Sequence, residues 1–275
     1  MMGKRSRFSL SGVTAVITGA SSGLGAEFAR QLAPHAAALV LVARREAEMN
    51  ELAESLRRDR PALRVAVVVC DLADAGSRER LPGHLASLGF RVNLLVNNAG
   101  LGDYGEFASG AWHRLAAVME VNMVALTHLA HVFVADLETS GPSGMLNVSS
   151  LAGELPIPDF GVYAATKAYV TRLSEALRIE LRGRGIFVSV LAPGPVATEF
   201  GRVARRGSES LGQPKWSYVD KEKVVRLGLE ALVRGRAVVY PGVVPTVAAW
   251  IFRSLPRVLL RAMLWRRPRK AADQP

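Results

Sequence analysis

Tyr163 and Lys167 stand four residues apart, and Ser150 lies thirteen residues before the tyrosine. A free phenol, with a pKa of about 10, is a poor base at neutral pH. A lysine one helical turn away shares a helix face with it, and a nearby positive charge favours the phenolate. A serine hydroxyl can then hold a substrate oxygen while the tyrosine gives or takes a proton. Together these residue types offer acid–base chemistry at a carbonyl or alcohol oxygen. Alone, a Tyr-x-x-x-Lys pair is as easily a surface pair on a helix. Its meaning depends on the elements that would position it.

The β-branched run Val13–Ile17 reads as a buried strand. It leads into Thr18-Gly19-Ala20-Ser21-Ser22-Gly23-Leu24-Gly25 and then into a helical pattern over Ala26–Leu32. A strand, a glycine-rich turn and a helix N-terminus make an anion site, because free N–H groups and the helix dipole point at a phosphate. Glycine lets the backbone turn sharply and approach the ligand closely. The spacing here is G-x-x-x-G-x-G rather than the usual G-x-G-x-x-G. Further strand-like runs follow at Ala38–Ala43, Val65–Cys70, Leu94–Asn97, Met145–Ser149, Phe187–Ala192 and Ala237–Tyr240. Helical patterns intervene, including Arg45–Arg58, Ala111–Leu137 and Val162–Arg182. This alternation predicts an α/β fold with a Rossmann-like, doubly wound parallel sheet of about seven strands. Ligands of such sheets bind beyond the strand C-termini at the switch point, and every motif above falls at or after a strand end.

The ordered set Thr18-Gly19-x-x-x-Gly23-x-Gly25, Asp71-Leu72, Asn97-Asn98-Ala99-Gly100, Asn122, Ser149-Ser150, Tyr163-x-x-x-Lys167 and Pro193-Gly194-Pro195-Val196-Ala197-Thr198 resembles the short-chain dehydrogenase/reductase family over roughly residues 10–240. The strings Asn147–Gly153 and Ala164–Ala168 look most like the bacterial DltE-like branch. The resemblance implies hydride transfer between a nicotinamide dinucleotide and a carbonyl or alcohol, and it allows a homo-oligomer. By the same resemblance Tyr163 is the acid/base, and Lys167 lowers its pKa and holds the nicotinamide ribose. Ser150 polarises the carbonyl, and Asn122 supports the lysine and a relay water. Ser149 competes with Ser150, and the thirteen-residue spacing selects Ser150. The implied cofactor-binding set is Gly19, Ser21, Ser22, Gly23, Leu24, Gly25, Arg44, Asp71, Leu72, Asn98, Ala99, Gly100, Tyr163, Lys167, Pro193, Gly194, Val196 and Thr198. Asp71 resembles the residue that contacts adenine; its alternative role is to cap the following helix.

Charge selects the cofactor. An acid after the second strand would bind the adenosine ribose of NAD. Here Leu39–Ala43 is followed by Arg44-Arg45. Cations are disfavoured at a helix N-terminus, whereas an arginine suits a 2′-phosphate. NADP(H) is therefore expected over NAD(H), with Ser22 as a further hydroxyl donor. The loops after Gly100, Ser150 and Pro193 should form the substrate pocket. They carry Tyr104, Leu151, Leu155, Ile157, Phe160, Phe200 and Trp216, an apolar set suited to a ketone, acyl or steroid-like carbonyl compound. Asp103 and Glu154 are acidic exceptions without an assigned role.

The chain is 275 residues long, 49% hydrophobic, and carries 25 glycines, enough for one sizeable core. Its one cysteine, Cys70, excludes an internal disulfide and sits in a strand-like run, as a packed residue would. The five histidines are scattered, so no metal site is expected. No signal peptide is read from the N-terminal region, and no run of 18 uncharged apolar residues occurs, so the cytoplasm is the expected location.

Net charge is +11, and most of it lies at the two ends. Residues 1–8 hold Lys4, Arg5 and Arg7, giving +3, while residues 251–275 carry +6. No basic face with interleaved aromatics points to nucleic acid. The expected organisation is a basic tail over 1–10, a catalytic domain over 11–244 with a lid about 199–220, and a basic amphipathic extension over 245–275. In that extension Trp250, Phe252, Leu260 and Trp265 mix with Arg253, Arg257 and Arg261, which recur every four residues as one helical stripe. Such a segment over 250–270 suits an anionic membrane surface, here the inner face; equally it suits packing on the domain or on a second subunit. A catalytically idle nucleotide-binding scaffold, or a membrane tether, is the alternative to an enzyme. The joint presence of Ser150, Tyr163 and Lys167 argues for the enzyme.

Overall fold

Each central strand carries four to six consecutive buried residues, most of them apolar, as expected when helices cover both faces of a parallel sheet. The computed structural model of the protein describes residues 8–205, 218–256 and 258. Its strands are β1 (Thr14–Thr18), β2 (Ala38–Ala43), β3 (Arg64–Val69), β4 (Leu94–Asn97), β5 (Ser143–Val148), β6 (Ile186–Leu191) and β7 (Val238–Val239). They form one seven-stranded sheet in the order β3-β2-β1-β4-β5-β6-β7, and every neighbouring pair is parallel. The expected runs Ala38–Ala43 and Leu94–Asn97 are met at both ends, and the others differ by one or two residues at one or both ends. The last run pairs only through Val238 and Val239.

Helices α1 (Gly23–Leu32), α2 (Glu46–Asp59) and α3 (Ala75–Ser87) connect the first four strands. Two apolar layers result, one on each face. Phe28, Leu32, Leu39 and Leu41 anchor the first; Val40, Leu95, Phe133 and Met145 anchor the second. The order in which successive strands are added reverses between β1 and β4, while all strands stay parallel, and this is the switch point where ligands of such sheets bind.

Several boundaries move. Phe8, expected in a basic tail, is buried in the first layer with its ring 6.4 Å from Phe187. Its apolar ring outweighs the charge of its neighbours in sequence. Lys4, Arg5 and Arg7 lie outside the described residues. The single helix expected over Ala111–Leu137 is broken into α4 (Trp112–Met119), a π-helical segment (Glu120–Ala125), α5 (Leu126–Val132) and α6 (Val134–Thr139). A π segment widens one turn and commonly marks a functional position; here it holds Asn122. The stretch Trp112–Thr139 is long and apolar enough to cross a membrane by composition. However, Leu129, Phe133 and Leu137 are buried in the second layer, so it is a core element of this fold.

The remaining helices are α7 (Gly161–Glu180), α8 (Glu199–Ala204), α9 (Lys221–Val233) and α10 (Val243–Ser254). Of the expected lid, α8 is described, while 206–217, including Trp216, lies outside the described residues. The C-terminal helix begins at Val243, two residues before the expected boundary, and buries Pro245 and Ala249 against the domain. Of the expected arginine stripe only Arg253 is described, with its guanidinium 3.3 Å from Tyr240 Oη and 3.4 Å from Glu175. Leu255 is extended and Pro256 follows, which ends the helix. Arg257, Leu260, Arg261 and Trp265 lie outside the described residues.

Candidate active site

Ser150 follows β5 in extended backbone and opens a short 3-10 turn, Leu151–Glu154. Its Oγ accepts the Ala152 N–H at 3.2 Å and donates to the Pro193 carbonyl at 3.4 Å, and the hydroxyl faces that of Tyr163. Ser149 is turned away from the site. Its Oγ donates to the Lys167 carbonyl at 2.7 Å and meets Thr171 Oγ1 at 2.7 Å. The serine facing the tyrosine is thus Ser150, and Ser149 fastens α7 to the sheet.

Tyr163 and Lys167 project from one face of α7, and both are buried. Lys167 Nζ donates to the Val148 carbonyl at 2.9 Å and lies 5.7 Å from the centroid of the Tyr163 ring. Burial pushes Tyr163 up to about 12, while the Ser150 hydrogen bond pulls the other way. Burial likewise draws Lys167 down to about 8. This corrects the expectation that Lys167 would lower the tyrosine's pKa. Loss of water around both groups outweighs the attraction of the ammonium for a phenolate. At pH 7 Tyr163 is neutral and Lys167 is mostly charged.

Asn122 is fully buried in the π segment. Its Oδ1 accepts the Leu101 N–H at 2.8 Å, and its Nδ2 donates to the Leu101 carbonyl at 2.9 Å and to Thr166 Oγ1 at 3.0 Å. Direct support of Lys167, as expected, is replaced by support through Thr166, its neighbour in sequence. Asn122 also clamps the loop after β4. Gly100 lies between: a Cβ there would stand 3.3 Å from both Asn122 Oδ1 and Lys167 Nζ. Aromatic rings line the approach to the tyrosine. Phe160 stacks on Tyr163 with centroids 4.2 Å apart, Phe200 of α8 lies 5.4 Å from it, and Tyr104 lies 5.8 Å from Phe160. Asp103 pairs with Arg114 at 2.7 Å, and Glu154 accepts the Tyr240 hydroxyl at 2.6 Å.

A second cluster meets this one at the switch point. Gly19 and Gly23 turn through positive φ, +67° and +56°. A Cβ on Gly25 would collide with the Gly19 carbonyl, so the turn closes only with glycine. Thr18 Oγ1 accepts the N–H groups of Asn98 and Ala99 at 3.0 Å each, and Asn98 Nδ2 donates to the Thr18 carbonyl at 2.9 Å. These bonds lock the loops after β1 and β4 together. Ser22 caps α1 without a side-chain bond, and the first turn carries no acid. Its N–H groups therefore remain available to an anion.

The other cofactor candidates surround this cleft. Leu24 packs on the first layer and Leu72 is buried in the second. Asp71 Oδ1 accepts the Ala73 N–H at 3.0 Å, and the capping role falls instead to Asp74, which accepts the Ser77 N–H at 2.6 Å. The Pro193 carbonyl accepts the Leu151 N–H at 2.9 Å. Gly194 faces α10, where a Cβ would stand 2.9 Å from Pro245 Cγ. Val196 bridges to Val219. Thr198 precedes α8 and faces Gly23, 3.6 Å from where its Cβ would be. Arg44 is exposed. Arg45, its neighbour, instead reaches the glycine turn: its Nε donates to Ser21 Oγ at 3.2 Å. The hydroxyl beside the arginine is therefore that of Ser21, not Ser22. Free helix N–H groups, obligatory glycines and a cation at the turn are the donor set a dinucleotide phosphate requires, so the residues fit that group. Sequence reasoning missed Thr166 and Glu199, and it treated Arg45 only as a companion of Arg44. A buried threonine before a lysine carries no periodic signal.

Residues 13–209 match the family model for short chain dehydrogenase. The chain is 35% identical over 200 residues to sulfoacetaldehyde reductase 2 of Chromohalobacter salexigens, covering 71% of this chain and 77% of that one. Among solved structures, a short-chain dehydrogenase from Sphingobium yanoikuyae in complex with NADPH superposes with a TM-score of 0.77 at 29% identity, over 95% of this chain and 99% of that one. A Burkholderia phymatum short-chain dehydrogenase/reductase in complex with NAD gives 0.79 at 26% identity, over 97% and 100%. The chain belongs to the short-chain dehydrogenase family and is an oxidoreductase of that type.

Proposed function

We propose that the protein is an NADP(H)-dependent reductase of lipophilic carbonyl compounds, with Tyr163 as proton donor, beside the bacterial DltE-like branch of its family. One observation carries this reading: the Tyr163 hydroxyl faces Ser150, with Lys167 Nζ 5.7 Å from its ring, between the aromatic rings of Phe160 and Phe200. A nicotinamide dinucleotide, when bound, supplies the hydride to the substrate carbon. Ser150 donates a hydrogen bond to the carbonyl oxygen and orients it toward Tyr163. Tyr163 gives its proton to that oxygen as negative charge develops. Lys167, charged at neutral pH, stabilises the phenolate that remains.

Gly19, Ser21, Ser22, Gly23, Leu24 and Gly25 would hold the diphosphate, Asp71 and Leu72 the adenine side, and Asn98, Ala99 and Gly100 the span between the two loops. Pro193, Gly194, Val196 and Thr198 would hold the nicotinamide side, with Lys167 on its ribose. Arg44 and Arg45 would take the 2′-phosphate. The aromatic rings of Tyr104, Phe160 and Phe200 suit a substrate with apolar flanks. Purified protein mixed with NADPH or NADH and a panel of ketones, acyl thioesters and small charged aldehydes tests the reading. Oxidation of NADPH by bulky ketones or acyl compounds is expected. Activity confined to NADH, or to small charged aldehydes, contradicts it.

A specific surface favours work in the cytoplasm at the inner membrane face. Along α10, Val243 (80% exposed), Val244, Val247, Trp250 (71%) and Ile251 form one exposed apolar stripe. Its opposite face holds Pro245 against Gly194 and Arg253 near Tyr240. The sequence beyond it is strongly basic, as a segment beside anionic lipid would be. The full chain is expected to sediment with phosphatidylserine vesicles at low salt and to leave them at high salt. A Val247→Glu/Trp250→Glu variant should stay in the supernatant. Equal behaviour of the two chains would remove the membrane reading.

A further inference from the structure

Arg45 joins three elements. From the start of α2 its Nε donates to Ser21 Oγ at 3.2 Å. Its Nη1 pairs with Glu199 Oε2 at 3.3 Å and with Glu48 Oε1 at 3.4 Å. Glu199 is the first residue of α8, and its other carboxylate oxygen lies 3.8 Å from Arg202. The next residue, Phe200, covers the ring of Tyr163. A Cβ on Gly102 would stand 2.9 Å from Phe200 and 3.0 Å from Ala204, so the two side chains of α8 rest directly on the loop after β4. Thr198, just before, rests on Gly23 of the glycine turn. An exposed ion pair thus links the arginine side of the cleft to the start of the element that roofs the tyrosine, whose far end is bonded from the Tyr104 N–H to the Ala204 carbonyl at 2.8 Å.

That pair is weakly held. Its side chains are 43% and 51% exposed, and exposed ion pairs contribute little. A phosphate ester carries nearly two charges and three strong acceptors, and a guanidinium binds it through paired hydrogen bonds. Glu199 and a 2′-phosphate therefore compete for the same cation. An unphosphorylated ribose offers no such competitor.

We propose that Glu199 is a cofactor-selective latch: its carboxylate holds α8 down through Arg45, and a 2′-phosphate that takes Arg45 releases α8 and uncovers Tyr163 for substrate. The latch rests on the NADP(H) reading and adds a positioning role for a residue outside the reacting groups. It makes access to the tyrosine depend on which dinucleotide is bound.

Calorimetric titration of NADPH and NADH into the wild type, Glu199→Gln, Glu48→Gln, Arg45→Ala and the double variant Arg45→Ala/Glu199→Gln tests it. Amide hydrogen exchange across residues 199–205 is followed in each chain without cofactor. Glu199→Gln should tighten NADPH about two- to fivefold, the range of an exposed ion pair, and leave NADH unchanged. The gain should vanish in the Arg45→Ala background. Exchange over 199–205 should quicken in Glu199→Gln but not in Glu48→Gln, which removes a charge from Arg45 without touching α8. Weaker or unchanged NADPH binding, an equal gain for NADH, or unaltered exchange overturns the latch. NADPH preference that depends on Arg45 but not on Glu199 sinks the latch alone. If the wild type binds both dinucleotides equally and Arg45→Ala changes neither, the NADP(H) reading fails and the latch falls with it.

Discussion

The two sides of the cleft are held by different forces. On the side of β5 and α7, buried polar groups are tied to one another. Asn122 spans Leu101 and Thr166, Asn147 joins Asn97 to Ser174, and Lys167 is bonded to Val148. On the side of α8, contact rests on a tilted ring pair, one backbone bond from the Tyr104 N–H to the Ala204 carbonyl and an exposed ion pair. Breaking a buried hydrogen bond leaves an unsatisfied group and costs about 1–3 kcal/mol. An exposed ion pair contributes about 0–1 kcal/mol. The catalytic wall is thereby fixed before any ligand arrives, while the roof opposite can yield. The proposed function, a proton donor placed accurately beside a bulky substrate, would use both.

Substitutions on the two sides should separate in kind. The largest effect is expected at Lys167. Lys167→Met should lower reductive turnover by at least about 100-fold and yet stabilise the fold at neutral pH. Burial holds Lys167 at about 8 against its ordinary 10.5. Between those values the unfolded chain keeps a proton that the folded chain has lost, so this group's contribution to stability rises with pH across the window. Its penalty is therefore full below pH 8. The variant should melt about 2–4 °C higher at pH 7, with the gain shrinking toward pH 10.5. Thermal unfolding across pH checks this, and a lower Tm at pH 7 would contradict it.

Asn122→Ala comes next. It strips partners from both backbone groups of Leu101 and from Thr166, and should destabilise by about 1–3 kcal/mol in a denaturant titration. Turnover should fall with it, because the loop beside Lys167 loosens. Unaltered stability would show that the wall is not held by these bonds. The smallest effect belongs to the roof. Phe200→Ala should change stability by less than about 1 kcal/mol and raise KM for a bulky ketone about tenfold, with kcat nearly constant. A collapse of kcat instead would make Phe200 part of the fixed wall.

The same division explains what was legible in the sequence. The strands and the glycine turn follow from local rules: an apolar run such as Leu39–Ala43 suits a buried central strand, and Gly19, Gly23 and Gly25 meet backbone limits that no other residue satisfies. Spacing placed Ser150, Tyr163 and Lys167 together because strand end and helix face are both local geometry. The π segment at Glu120–Ala125 was not legible, since one widened turn leaves the apolar period of Ala111–Leu137 almost unchanged. Nor was the tyrosine's raised pKa, which depends on burial, in part beneath Phe200 from another element, α8. Glu199 stayed hidden because its partner is 154 residues away and the bond is an exposed ion pair without a pattern.

The central claim is that Tyr163 donates the proton, and Tyr163→Phe tests it most directly, because only the hydroxyl is lost from a ring that Phe160 and Phe200 hold in place. NADPH-dependent reduction of a bulky ketone and NADPH binding are measured on the same preparation. Turnover should fall about 10²–10⁴-fold, the usual share of a general acid, with the Kd for NADPH unchanged. Near-normal turnover with intact NADPH binding would contradict it.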